Sequence, residues 1–172
     1  MSREGGGTST ESSDRGSDAD DRAPDGEVVA PARPSGIDRV VVAVACLVVV
    51  ALAFRLVGLG ARSFHWDEAR VGYWALRYLD TGAFQYRPVA GGPLLYHLDR
   101  LAFALLGVSD RIARLPVALL GAALPVVALL FRDRLDDAET VAFAAVLAFQ
   151  PLVLYYSRFL RGDVPLALFG LA

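Results

Sequence analysis

Two adjacent carboxylates, Asp67 and Glu68, stand among aromatic residues in the stretch RSFHWDEARVGYW, just after a long apolar run. Charged side chains are costly near a bilayer, so carboxylates at such a place are usually retained for a function. A general base or a metal ligand is the functional interpretation of the pair. A structural interpretation is also open, in which Asp67 caps a helix and Glu68 joins its acidic first turn, worth about 1 kcal/mol.

A second charged group follows much later in the chain, in the stretch SRFLRGD, where Arg158 and Arg161 precede Asp163. Guanidinium groups match phosphate oxygens in bidentate geometry, so the stretch predicts a phosphate clamp. The structural alternative is a helix N-cap at Asp163 behind arginines that reach toward lipid headgroups. The tripeptide RGD also occurs in cell-adhesion motifs, and we interpret its presence at a membrane boundary as coincidence.

Tyr96 and His97 are further candidates, because we expect them to face the same region and to contribute to substrate binding. The alternative for His97 is a hydrogen-bonded interfacial side chain. The sequence has no glycine-rich nucleotide loop that follows a strand and no Ser/His/Asp arrangement. Nucleic-acid binding is not expected, because residues 1–36 are acidic and the chain has no basic run.

Long apolar runs must position these residues, since the charges of this 172-residue chain are segregated between them. About 20 apolar residues span a bilayer as a helix, and backbone groups in lipid must be satisfied internally. We therefore predict an all-α polytopic membrane protein with three complete transmembrane helices and a truncated fourth. The predicted spans are residues 37–59, 115–131, 138–156 and, truncated, 164–172. Pro116 is expected in the first turn of its helix, and Pro125 is expected to kink it.

The outer loop between the first two spans, residues 60–114, has two amphipathic segments. Val71, Trp74, Ala75 and Tyr78 follow helical spacing and predict an interfacial helix that begins near Asp67. The segment 93–107 contains three ionisable side chains and is too short for a span, so we predict a second interfacial helix there.

Residues 1–36 are predicted to be a disordered, acidic cytoplasmic tail, because eight acids and four arginines are embedded in glycine, serine, threonine and proline. All 17 basic residues are arginine. This acidic, lysine-free composition resembles that of salt-adapted archaeal proteins, and GC-rich codon usage would explain it equally well. The only cysteine, Cys46, lies inside an apolar run and excludes an internal disulfide.

With three complete spans, the loop around Asp67 and the connection before Asp163 lie on one side of the membrane. The excess of arginine on that side would by itself place it in the cytoplasm. Because nine apolar residues cannot cross a bilayer, we expect the chain to be an N-terminal fragment that is inactive alone.

The ordered series HWDEARVGYWA, GGPLLYHLDRLAFALLGVSDRIARLPVALLGA and LAFQPLVLYYSRFLRGD resembles the start of the GT-C glycosyltransferase superfamily. The nearest branch is similar to protein mannosyltransferases and aminoarabinose transferases, and within it to archaeal membrane proteins described as flippase-activity-associated. The resemblance covers about residues 37–172. One departure is GGPLLY, where relatives often have a double proline.

The resemblance implies a multi-pass protein of the cell membrane with a cytoplasmic N-terminus, and it overrides the arginine count. It implies that Asp67 is catalytic, with Glu68 beside it, and that Arg158, Arg161 and Asp163 bind the substrate. The donor would be a polyprenyl-phosphate sugar, whose sugar passes to an acceptor at the outer face. The arginines, or a divalent metal ion held by Asp67 and Asp163, would stabilise the leaving phosphate.

Two other functions are compatible with the same residues. The protein could be a non-catalytic accessory for flipping lipid-linked oligosaccharides, working with other membrane proteins of the glycosylation pathway. It could also be a plain membrane anchor that contacts membrane lipids and has only interfacial charges. The sequence identifies neither the sugar nor the acceptor.

Overall fold

The computed structural model describes residues 38–85 and 92–172. Of these residues 76% are helical, and none of them forms a strand. The prediction of an all-helical chain is therefore confirmed. The predicted acidic tail, residues 1–36, lies outside the described residues, as does the segment 86–91 of the predicted outer loop.

The first apolar run forms helix α1, Arg39–Leu56, which has the length and composition of a membrane span. Asp38 caps the helix, because its carboxylate accepts a hydrogen bond from the backbone N–H of Val40 at 3.0 Å. At the other end the chain turns at Gly58, whose φ of 63° favours glycine. The first predicted span is thus a single helix.

The predicted outer loop contains helices α2, Trp66–Thr81, and α3, Pro93–Leu106, which pack against each other. Gly82 ends α2 in the left-handed conformation, with φ 67°. The N-cap of α2 is His65, so the expectation that Asp67 caps this helix is wrong. His65 forms a capping box with Glu68, which explains why the helix begins one residue before Asp67.

Helix α4, Asp110–Ala123, begins five residues before the predicted span, because Ser109 caps it and accepts from the N–H of Ile112 at 3.3 Å. Pro116 therefore lies inside the helix rather than in its first turn. From Leu124 to Phe131 the helix continues with tighter 3-10 geometry. The change coincides with Pro125, which has no N–H for an α-helical hydrogen bond. Residues 110–131 together have the length and composition of a second span.

The predicted third span, 138–156, is two helices, α5, Asp137–Phe149, and α6, Pro151–Tyr156. Gln150 separates them, since the residue before a proline is disfavoured in the α conformation and Pro151 cannot donate the next hydrogen bond. Helix α7, Asp163–Leu171, covers the predicted truncated run. Two helices of the described residues, rather than three, are thus long and apolar enough to cross a membrane.

The α5–α6 pair nevertheless returns the chain from one end of α1 to the other. At the first end, Arg132 pairs with Asp38 at 2.5 Å and lies 3.6 Å from Asp137. The hydrogen bond from Arg132 holds the pKa of the Asp38 carboxyl below its usual range. At the second end, Arg158 donates to the backbone oxygen of Val57 at 2.6 Å. The connection after α6 therefore meets the loop before α2.

Candidate functional site

The adjacent carboxylates of Asp67 and Glu68 point to different surroundings. Successive residues of an α-helix are rotated by about 100°, so neighbours cannot share a face. The Asp67 side chain is 52% exposed, whereas that of Glu68 is 0% exposed. Although the two acids are adjacent in the sequence, Asp67 can contact a ligand from solution and the buried Glu68 cannot.

Glu68 accepts hydrogen bonds at both carboxylate oxygens. Arg114 donates to both, at 2.9 and 3.0 Å, and Arg62 donates at 3.0 Å. The backbone N–H groups of His65 and Leu160 each donate at 3.0 Å. Burial by itself raises the pKa of Glu68, but these donors outweigh it and hold the pKa below its usual value. Glu68 is thus an ionised acceptor that ties α2 to α4 and to the 157–162 connection.

Arg114 uses every N–H of its guanidinium group, and its side chain is 1% exposed. Besides its two hydrogen bonds to Glu68, it donates to the backbone oxygens of Leu59, Arg62 and Ser63 at 3.0, 2.8 and 3.2 Å. These carbonyls belong to the loop that leads from α1 into α2. The buried pair of Arg114 and Glu68 therefore fixes the loop and the start of the helix that presents Asp67.

Asp67 lines a cavity of about 540 Å³, and Asp163 lines the same cavity although 96 residues separate them. Arg70 and Arg161 also line it, and Arg161 pairs with Asp163 at 3.0 Å. The remaining lining is mostly apolar and consists of Val71, Gly92, Leu94, Leu95, Leu160, Gly162, Pro165, Leu166 and Phe169. We call this the Asp67 cavity. It combines two carboxylates, two guanidinium groups and an apolar wall.

His65 lies beside Asp67 but makes only long contacts with it. Its Nδ1 lies 3.9 Å from a carboxylate oxygen of Asp67, but the same Nδ1 accepts a hydrogen bond from the Asp67 backbone N–H at 3.4 Å. Both contacts are long for a charged pair. The Asp67 carboxylate therefore has no close ion-pair partner among the described residues.

Three predicted substrate-binding residues lie elsewhere. Arg158 lines a second cavity, and Arg161 is not among the residues that line it. Tyr96 is buried and lines a third cavity beside α2, and His97 packs on the rings of Tyr78 and Phe84. None of the three lines the Asp67 cavity.

The donor set of the Asp67 cavity does not fit a dedicated metal site. In residues 38–85 and 92–172, no three His, Cys, Asp or Glu side chains form a group that could hold a metal ion. Within the part of the chain that the structure describes, Asp67 and Asp163 are the only carboxylates of the cavity lining, and one oxygen of Asp163 already accepts from Arg161. A divalent cation usually needs six or more oxygen ligands, so the arginines are the better counter-charge here.

Two residues of the site were not predicted from the sequence. Arg70 follows Asp67 by three positions, and i, i+3 side chains share a helix face, so this spacing could have identified it. Arg114 had only a weak signal, an arginine two residues before the proline of an apolar run. Its pairing with Glu68 spans 46 positions, which no local pattern indicates.

Comparison of this chain with known proteins gives no match to a protein family, to a curated protein or to a solved structure.

Proposed function

We propose that this protein is a membrane glycosyltransferase of the GT-C type, which moves a sugar from a polyprenyl-phosphate donor to an acceptor hydroxyl. The observation that carries the proposal is the Asp67 cavity. It brings a half-exposed carboxylate from α2 together with Arg161 and Asp163 from a distant connection. The apolar wall suits a prenyl chain, and the guanidinium groups suit its phosphate.

In the proposed reaction, Asp67 takes the proton of the acceptor hydroxyl. The acceptor oxygen forms a bond to the anomeric carbon with inversion, while the bond from that carbon to the phosphate oxygen breaks. The bonding electrons leave with the lipid phosphate, whose added charge Arg70 and Arg161 stabilise. Asp163 positions Arg161 through their ion pair.

Glu68 and Arg114 have a positioning role in this proposal. Their buried pair holds the loop before α2 and one backbone N–H of the 157–162 connection. Both segments supply side chains to the Asp67 cavity. A general base acts only within hydrogen-bond reach of its proton, so rigid placement of α2 contributes directly to the rate.

The test is Asp67→Asn in the complete protein, reconstituted in vesicles with a radiolabelled polyprenyl-phosphate sugar and an acceptor extract. General-base catalysis contributes about 10²-fold or more, so transfer is expected to fall by about that factor. Asp80→Asn is the matched control, because Asp80 is exposed at the end of the same helix and outside the cavity. Thermal unfolding of both variants verifies that they fold.

Transfer by Asp67→Asn at the rate of the unchanged protein would refute the base role. If lipid-linked oligosaccharide flipping then depended on Arg161, the accessory function would replace the transferase. If the double variant Asp67→Ala with Asp163→Ala leaves both transfer and flipping intact, neither function uses these carboxylates. The remaining function would then be that of a membrane anchor.

A further inference from the structure

A second cavity lies at the end of α1 and holds three arginines. It measures about 400 Å³ and is lined by Arg62, Arg114 and Arg158 together with Gly58, Leu59, Pro151, Leu154, Tyr155 and Phe159. Among the described residues no acidic side chain lines it, and the two cavities have no lining residue in common. We call it the arginine cavity.

The charges around the arginine cavity are not balanced. Glu68 is the one carboxylate that the described structure pairs with these arginines, and it contacts Arg114 and Arg62 from behind the lining. Arg114 has no N–H left for a ligand, since it donates to Glu68 and to three backbone oxygens. Its charge is met by Glu68, so the surplus of positive charge in the cavity comes from Arg62 and Arg158.

Arg62 and Arg158 keep unused donors. Within the described residues, each donates through a single nitrogen, Arg62 to Glu68 at 3.0 Å and Arg158 to the Val57 oxygen at 2.6 Å. The guanidinium of Arg62 is held 3.7 Å over the ring of Phe159. Both guanidinium groups line the same cavity. The parallel N–H groups of a guanidinium match the spacing of phosphate oxygens, so a phosphate is a suitable acceptor for them.

The other wall of the arginine cavity is apolar. Leu59, Pro151 and Leu154 line it directly beyond the end of α1, the first helix with the length and composition of a span. A free phosphate ion would gain nothing from this wall, whereas the glycerol and acyl portion of a lipid would cover it. The arrangement of cations next to an apolar surface thus matches a headgroup at the boundary of a bilayer.

We propose that the arginine cavity binds the phosphate of an anionic lipid, with Arg62 and Arg158 as its ligands, while Arg114 holds the backbone of Arg62 in place. A smaller cavity of about 360 Å³ touches both sites, since Arg62, Phe159, Asp67 and Arg161 all line it. The proposed lipid site nevertheless uses different arginines from the Asp67 cavity, and it does not depend on sugar transfer. It anchors the end of α1 to a headgroup and leaves the Asp67 cavity open to another ligand.

The test is calorimetric titration of the complete protein in neutral detergent with dihexanoyl phosphatidic acid and, separately, with inorganic phosphate. Arg158→Gln is expected to weaken lipid binding about tenfold or more, because it removes a charge-assisted pair of hydrogen bonds. Arg134→Gln is the matched control, since Arg134 is exposed in the turn after the 3-10 segment. It is expected to bind the lipid as the unchanged protein does.

Arg158 also donates to the end of α1, so a second variant separates binding from folding. Leu154→Trp keeps all three arginines and fills the cavity, and it is expected to weaken lipid binding without lowering the unfolding temperature. Unchanged affinity in both Arg158→Gln and Leu154→Trp would overturn the site. Inorganic phosphate binding as tightly as the lipid would overturn the lipid assignment and identify a soluble phosphate as the ligand.

Discussion

At the scale of single residues, the acidic pair of α2 separates into two functions. Asp67 faces a cavity and a half-exposed surface, and Glu68 is enclosed by donors from three parts of the chain. The difference does not arise from the side chains, which have the same chemistry. It arises from rotation about the helix axis, which turns one carboxylate inward and leaves its neighbour outside.

Glu68→Gln is expected to destabilise the protein by about 3 kcal/mol, because it leaves the buried guanidinium of Arg114 without a counter-charge. Glu139→Gln is the matched control. Glu139 occupies the same capping-box position in α5 but is exposed, and glutamine also serves in such a box. Chemical unfolding of both variants checks the prediction. A loss of similar size in both would show that the cap matters and the buried pair does not.

Asp99 gives a prediction for pH. It is buried in α3, and neither of its carboxylate oxygens has a hydrogen-bond partner within the described residues. Burial raises its pKa from 3.8 to about 8. The folded state therefore holds the proton more tightly than the unfolded chain. The stability that Asp99 contributes is complete below about pH 4 and is lost as the pH rises to about 8.

Asp99→Asn removes this titration, so the variant is expected to unfold at a higher temperature than the unchanged protein at pH 8. The advantage, about 2 kcal/mol, should shrink as the pH falls toward 5. Asp80→Asn serves as the control because Asp80 is exposed. Melting curves at pH 5 and pH 8 measure the effect, and an advantage that is equal at both pH values would contradict the assignment.

At the scale of elements, close approach of helices decides where small residues are needed. Arg55 of α1 is buried and donates to the Ala148 oxygen of α5 at 3.1 Å. Gly121 of α4 lies against the same group. A Cβ atom at Gly121 would meet the Ser157 Cβ at 2.5 Å and the Arg55 Nε at 3.1 Å. The junction of α1, α4 and the end of α6 thus has no room for a methyl group.

Gly121→Ala is expected to destabilise the protein by about 2 kcal/mol, although alanine is the better helix former, because the backbone must shift to admit the methyl group. Gly170→Ala in α7 is the matched control. It has open space at Cβ and is expected to gain about 0.5 kcal/mol. Unfolding midpoints distinguish the two. A stabilised Gly121→Ala variant would mean that the helices are less tightly packed than described.

At the scale of the whole molecule, segments that are far apart in the sequence meet at the two ends of α1. Asp38 and Arg132 pair at the beginning of the helix, and Val57 and Arg158 meet at its end. The Asp67 cavity contains residues 67 and 163 together. If α1, the helix over residues 110–131 and the α5–α6 pair each cross a bilayer, both carboxylates face the same compartment and Arg134 faces the other.

This topology predicts the pattern of cysteine labelling in sealed cells. With the outward-facing site that the proposed function requires, single cysteines at 67 and 163 in a Cys46→Ala background are expected to react with a membrane-impermeant maleimide added outside. A cysteine at 134 is expected to react only after the membrane is opened. Lysed cells provide the control for reactivity. Labelling of 67 and 163 from opposite compartments would contradict both the topology and the proposed active site.

The sequence by itself determined the features that depend on neighbours along the chain. Apolar runs and helical periodicity act within a few residues, and they predicted the helices of residues 39–56, 66–81 and 93–106 to within a few positions. The prediction that residues 138–156 form one continuous helix is wrong at Gln150. The apolar composition of the run favours a single helix, but Pro151 disfavours the α conformation of the residue before it.

Only the tertiary structure decided which side chains meet. It separated Arg158 from Arg161, because the 157–162 connection has no regular period that would fix the direction of either side chain. It also joined Glu68 to Arg114 and Asp67 to Asp163. Such pairings depend on the packing of whole helices, and a sequence records that packing only as apolar faces, which carry no information on partners.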